Sequence, residues 1–222
     1  MSTRRAVILL PLVGLSVLVY ALMAAATLYT GVFGDGGIAW NLFLAWIPFI
    51  IAVAVYDGYR RGANRALLVG GGVLWLLFFP NAPYLTTDLK YLRGLEGLSL
   101  KYEVVLLSTA ATVGLALGFA SLYLMQAVVR RLLGSVNAWF FVVATLALSS
   151  FGVYLGRFQR WNSWDVFTRP GALLSDLLQA AGDPSDHLHA FGLAVMFTAF
   201  LAAGYLLFYP FARAALQEPN RR

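Results

Sequence analysis

The sequence predicts an all-α integral membrane protein, a bundle of six transmembrane helices. Three observations predict it. The chain is 60% hydrophobic and only 12% charged, about half the charge of an ordinary soluble domain. Its apolar residues gather into six runs, several of them at or above the ~18 residues that cross a bilayer. None alternates with period two along its length, so helices are favoured over the strands of a barrel.

The runs lie at roughly 6–30, 38–56, 65–80, 103–129, 136–156 and 190–212. They form one membrane domain, 1–222, with no length over for a separate soluble domain. The first follows Arg4 and Arg5 and contains "AAA" at 24–26. That pattern also fits a cleaved signal peptide, and "TRRAVIL" faintly resembles a twin-arginine signal. The apolar stretch is longer than a signal's hydrophobic region, so a retained helix is expected.

The second run, "IAWNLFLAWIPF" at 38–49, places Asn41 one turn inside the helix between Trp40 and Trp46. An amide at that depth is costly unless bonded, so it is expected to face the bundle. Pro48 reads as a tolerated mid-helix kink.

The third run ends in "FFPNAPYLTTDL", 78–89. Pro80 and Pro83 lack N–H groups and disfavour helix in the residues before them, so the motif reads as a helix terminator. Carbonyls of the last turn then need other donors, and Asn81, Tyr84, Thr86 and Thr87 are placed to supply them. Asp88 has two readings. It is an N-cap of a following helix, or it pairs with a cation on another segment.

The fourth and fifth runs carry Gly114 with Gly118 and Gly152 with Gly156, and the third carries "GGG" at 70–72. Small residues at such spacing let helix backbones approach closely, and ordinary bundle packing accounts for them. The fifth run continues into "GRFQRWNSWD", 156–165. On a continuing helix Arg157, Trp161 and Trp164 share a face, with Arg160 close by. Arginines snorkelling beside belt tryptophans would explain a single such pair. Arg157, Arg160, Trp161, Asn162, Trp164 and Asp165 together are denser than a belt requires. Either arginine could be held by Asp88 or could meet a phosphate or carboxylate ligand.

Basic residues fix the expected orientation. Arg4, Arg5, Arg60, Arg61, Arg65, Arg130, Arg131, Arg213, Arg221 and Arg222 fall on one side, against Lys90, Arg93, Lys101, Arg157, Arg160 and Arg169 on the other. The positive-inside rule then gives N-in and C-in. The long outer connections, 81–102 and 157–189, are each expected to hold a short interfacial helix. Leu85, Leu89 and Leu92 face one way in the first, and Leu173, Leu174, Leu177 and Leu178 in the second. The inner connections are short, so the second and third helices, and the fourth and fifth, should be tight antiparallel pairs.

Several function classes are excluded. The chain has no cysteine, hence no thiolate nucleophile or Cys-bound metal. The net charge of +6 sits at helix ends, where lipid headgroups explain it, so no nucleic-acid partner is expected. His187 and His189 share a polar loop with Asp183 and Asp186, too loose for a metal site. No hydrolase, metalloprotease or nucleotide-binding motif is present, and no cofactor is expected. Asp88 and Asp165 are the weak candidates for acid–base chemistry. Asp57 with Arg60 and Arg61 reads as a solvated pair.

Three stretches, "WNLFLAWIPF" at 40–49, "LFFPNAPYLTTDL" at 77–89 and "FGVYLGRFQRWNSWD" at 151–165, together resemble an uncharacterised bacterial family, domain of unknown function thirteen sixty-one. The resemblance runs from about residue 35 to 212. It implies a multi-spanning bacterial inner-membrane protein and transfers no catalytic residues.

The residues themselves point to a polar and aromatic pocket at the extracytoplasmic leaflet. Asn41, Asn81, Asp88, Arg157, Arg160, Trp161, Asn162, Trp164 and Asp165 would line it. An anionic lipid headgroup or lipid-linked precursor is the expected ligand, because two arginines sit where headgroups do. The competing expectations are a structural or assembly subunit with a protein partner and, behind it, a small-solute transporter.

Overall fold

The computed structural model describes residues 3–30, 37–92, 97–161, 163–172, 175 and 184–216. The regular structure among them is helical. α1 is Thr3–Thr30, α2 Gly37–Arg60, α3 Arg65–Phe78 and α4 the single turn Asn81–Tyr84. A 3-10 helix, Leu85–Leu92, follows. Then come α5, Gly97–Leu133, α6, Ser135–Phe158, the single turn α7, Asp165–Thr168, and α8, Pro184–Leu216. Six stretches, Leu9–Tyr29, Gly37–Arg60, Arg65–Leu92, Ser99–Leu133, Ser135–Arg157 and Gly192–Ala214, are long and apolar enough to cross a membrane. They mark a multi-pass membrane protein.

The helix pairs are joined by tight turns with identifiable chemistry. Gly62 takes φ +77° between α2 and α3, a conformation that side chains with a Cβ resist. Asn64 then caps α3, its Oδ1 accepting the Leu67 N–H at 2.8 Å, a contact worth about 1 kcal/mol. Gly134, at φ +89°, is the single residue between α5 and α6.

α5 is the centre of the bundle. In its apolar stretch 61% of residues are buried, against 11–39% in the other five, and α1, α2, α4, the 3-10 helix, α6 and α8 all pack on it. Two apolar clusters divide along it. Trp75, Phe79, Phe119, Leu122, Leu146 and Tyr205 are among those gathering α3, α5, α6 and α8. Leu12, Leu42, Phe49, Ala82, Leu85 and Val113 are among those gathering α1, α2, α4 and α5. The outward faces of α6 and α8, with Phe140, Leu148, Met196, Leu207 and Phe211 exposed, are what a bilayer would cover.

Several buried polar groups inside the bundle find partners on neighbouring helices. Trp75 Nε1 donates to Ser121 Oγ at 3.3 Å, Tyr205 donates to Gln126 Oε1 at 2.7 Å, and Trp46 Nε1 donates to Ser16 Oγ at 3.1 Å.

The third segment bears out the helix terminator in part. α3 ends at Phe78, two residues before Pro80, but the chain keeps helical dihedrals there and runs on into α4 and the 3-10 helix. Phe79 keeps φ −55°, ψ −39° although a proline follows, and Pro80 itself is helical at φ −58°, ψ −24°. Missing donors are replaced nearby. Ala82 N–H donates to the Phe79 carbonyl at 3.1 Å and Tyr84 N–H to the Pro80 carbonyl at 3.1 Å. Asn81 Nδ2 donates to the Phe78 carbonyl at 2.9 Å. Thr86 and Thr87 hydroxyls donate to the Pro83 and Tyr84 carbonyls at 2.7 and 2.6 Å.

The glycine pairs serve this same segment. A Cβ on Gly114 would meet the Ala82 carbonyl oxygen, and one on Gly118 would lie 3.3 Å from Ala82 Cβ. A Cβ on Gly152 would lie 2.8 Å from Pro80, and one on Gly156 3.3 Å from the Tyr84 ring. So α5 and α6 each offer a bare stripe, and the proline turn is wedged between them.

The stretch 85–92 is helical but winds as a 3-10 helix. At three residues per turn, Leu85, Asp88 and Tyr91 fall in one row. Leu85 and Asp88 are accordingly buried while Leu89 is exposed, so the expected stripe of Leu85, Leu89 and Leu92 does not form. Most of the second expected interfacial helix, including Leu173, Leu174, Leu177 and Leu178, lies outside the described residues, as does Asn162.

Candidate functional site

The first turn of α2, the run 80–91, the end of α6, Trp161 and residues 163–169 meet at one end of the bundle. Asp88 is the hinge of the arrangement. It turns inward from the 3-10 helix with Leu85, while Tyr91 in the same row stays exposed, and its side chain is 3% exposed. Arg157, in the last turn of α6, reaches it with Nη2 donating to Oδ1 at 2.7 Å. Asn41 Nδ2 donates to the other oxygen at 3.2 Å. The N-cap reading of Asp88 is therefore replaced by the ion pair, and of the two arginines the partner is Arg157.

Arg157 is itself buried, its side chain 9% exposed. Its guanidinium carbon lies 4.9 Å from the Tyr84 ring centre and 5.5 Å from that of Tyr91, a cation–π arrangement made stronger by desolvation. Nη1 donates to the Tyr84 hydroxyl at 3.3 Å, so Tyr84 serves Arg157 rather than a local carbonyl. Arg157 Nε and Gln159 Oε1 are buried without a hydrogen-bond partner.

The expected helical face of Arg157, Trp161 and Trp164 does not exist. α6 ends at Phe158, and Arg160 adopts φ +60°, a left-handed conformation that costs a residue with a Cβ roughly 1–2 kcal/mol. The chain reverses there, and Trp161 N–H returns to the Leu155 carbonyl at 3.2 Å. Arg160 points to an exposed position.

Beyond the reversal the chain folds back over the site. Trp164 meets Trp40 edge to face, ring centres 6.4 Å apart. Asp165 is buried and accepts from Arg169 Nη2 at 3.0 Å and Nε at 3.3 Å. Arg169 in turn lies 5.2 Å over the Trp161 ring. Ser163 Oγ accepts from Asn81 Nδ2 at 3.0 Å, tying the returning segment to α4.

Together these elements enclose a cleft of about 280 Å3. Asn41, Asn81 and Ser163 line it with polar groups, and Trp40, Tyr84, Phe151 and Trp161 with aromatic ones. Leu76, Leu77, Leu148 and Leu155 complete an apolar portion, of which Leu148 is also exposed on the outer face of α6. Of the sequence-predicted residues, Asn41, Asn81 and Trp161 line the cleft. Asp88 and Arg157 stand behind it, reached through Asn41 and Tyr84. Trp164 and Asp165 brace the segment that covers it, and Arg160 stays outside.

Sequence reasoning missed Tyr91, Ser163 and Phe151. A three-residue period from Asp88 would have pointed to Tyr91, and Ser163 was in plain view inside the polar cluster. Among the described residues, no three His, Cys, Asp or Glu side chains gather as metal ligands. Asp88 and Asp165 are each held by an arginine, which leaves neither placed as an acid–base pair with the other.

No curated protein and no solved structure matches the chain. A family model described as a protein of unknown function, DUF1361, matches residues 40–210. That span holds Asn41 on α2, the proline turn, the ion pair and the covering segment, and the chain belongs to the DUF1361 family.

Proposed function

We propose that the protein binds a membrane lipid or lipid-linked precursor in the cleft between α2, α4, α6 and the segment 161–166. One observation carries the reading. The cleft combines polar lining groups, at Asn41, Asn81 and Ser163, with apolar ones that include Leu148, which is also exposed on the outer face of α6. An amphiphile sliding in from the bilayer would find both of its halves matched. At about 280 Å3 the cleft lies near the small end of ligand sites, ~300–1,000 Å3, enough for a headgroup and the first part of a chain.

The surplus of arginines at the opposite end supports N-in and C-in in a bacterial cytoplasmic membrane, with the cleft in the extracytoplasmic leaflet. Arg157 is held by Asp88 behind the cleft, and Arg160 is exposed outside it. The test is native mass spectrometry of the protein released from detergent carrying membrane lipids. Wild type is expected to retain lipid adducts that are lost in Val166→Trp, a filling change at an exposed cleft residue. Equal adducts in both would sink the reading.

A second reading, a structural or assembly subunit, is favoured by the ion pair. Asp88 and Arg157 neutralise each other and bind three segments together, which needs no ligand. It predicts that a protein partner co-purifies and that cleft-filling changes leave the partner bound.

A further inference from the structure

We infer that the part of the ligand seated in the cleft is an uncharged, hydroxyl-rich headgroup, sugar- or polyol-like, rather than a phosphate or an ammonium. This rests on the lipid-binding reading and narrows it. The argument comes from which hydrogen-bonding atoms the lining has left to offer.

Asn81 donates from Nδ2 to the Phe78 carbonyl and to Ser163 Oγ. A carbonyl can only accept, so the amide cannot be turned the other way. Both amide hydrogens are thereby used, and what Asn81 brings to the cleft is its carbonyl oxygen. Asn41 is fixed by the same logic, because its Nδ2 faces a carboxylate oxygen of Asp88. It brings a carbonyl oxygen and one remaining amide hydrogen. Ser163, having accepted from Asn81, has its O–H to give.

The inventory is thus mixed and uncharged: two amide carbonyl oxygens beside the Asn41 N–H, the Ser163 O–H and the O–H of Tyr84, whose oxygen accepts from Arg157. A phosphate carries only acceptors at its ionised oxygens, so it leaves the Asn41 and Asn81 carbonyls unmatched, and among the described residues no charged donor lines the cleft. An ammonium carries only donors, and among the described residues no carboxylate lines the cleft to balance it, since Asp88 and Asp165 are taken by Arg157 and Arg169. A hydroxyl both donates and accepts, so it satisfies either kind of lining atom. The C–H faces of a sugar ring also suit the flat walls given by Trp40, Tyr84 and Trp161.

The experiment is a competition read by native mass spectrometry of the whole protein. Three lipids with identical acyl chains are supplied in equal amounts: a monoglucosyl diacylglycerol, a phosphatidic acid and a phosphatidylethanolamine. Wild type is expected to retain the glucosyl lipid about tenfold more than either phospholipid, the ratio that about 1.4 kcal/mol of matched hydrogen bonding gives. Val166→Trp, confirmed folded by its unfolding temperature, is expected to erase that preference. Equal or greater retention of phosphatidic acid or phosphatidylethanolamine, lost in Val166→Trp, overturns this inference while leaving the cleft as a lipid site. Retention of none of the three by wild type, or equal retention by the variant, overturns both.

Discussion

Arg157 and Asp88, far apart in the chain, meet at 2.7 Å with side chains 9% and 3% exposed. The pair joins the end of α6 to the buried side of the 3-10 helix, where Leu85 and Asp88 lie, and Asn41 extends it to α2. Removing one member of a buried pair leaves the other charge without compensation, which typically costs about 3–5 kcal/mol. Asp88→Asn should therefore unfold at a markedly lower temperature than wild type in the same detergent. Adding Arg157→Gln to that variant should recover part of the loss, because the stranded charge is gone. An unchanged unfolding temperature in Asp88→Asn would mean that the pair contributes nothing to the fold.

Much of this was legible before any coordinates. The six apolar stretches are set by length and composition, which tertiary packing cannot alter. The polar residues at one end were legible too, since amides and charges at that depth must be accounted for. What was not legible is where the backbone departs from periodicity. Pro80 suggested a stop, yet its own φ suits a helix and nearby side chains replaced the lost donors. Arg160 gave no hint of a left-handed turn, because glycine and asparagine are the usual signals. Whether Asp88 would choose Arg157 or Arg160 depended on that turn.

The left-handed turn at Arg160 makes its own prediction. In helices and at ordinary positions alanine is preferred to glycine. At φ +60° the Cβ is what costs, so the order should invert. Arg160→Gly is expected to be more stable than Arg160→Ala by about 1 kcal/mol. Thermal unfolding of the two variants side by side decides it, and alanine coming out ahead would show that the reversal does not persist in solution.

The wedged proline turn predicts a contrast between two glycines of similar composition and different surroundings. Gly114→Ala drives a methyl group into the Ala82 carbonyl and to 2.9 Å from Leu85 Cδ1, and backbone cannot step aside as a side-chain tip can. Overpacking of that kind typically costs about 1–3 kcal/mol. Gly70 has nothing within 4 Å of the position a Cβ would take, so Gly70→Ala should be neutral or stabilising by up to about 1 kcal/mol. Similar losses in both would mean that α4 is not seated against α5 as described.

The orientation of the Asn81 amide is the point on which both the proline turn and the headgroup argument depend. Asn81→Leu removes two hydrogen bonds and leaves the Phe78 carbonyl without that donor, a loss of about 1–3 kcal/mol where the site is dry. Asn81→Asp keeps the size and shape but puts an acceptor where the donor was. A carboxylate then faces the Phe78 carbonyl, and repulsion adds to the lost bond. The aspartate variant is therefore expected to be at least as destabilised as the leucine one at neutral pH, although it is the more conservative change in shape. Unfolding temperatures of the two against wild type provide the check. An aspartate variant as stable as wild type would place the amide the other way round. The cleft would then lose one of its two carbonyl acceptors and gain donors, and a phosphate rather than a hydroxyl would be the group it fits.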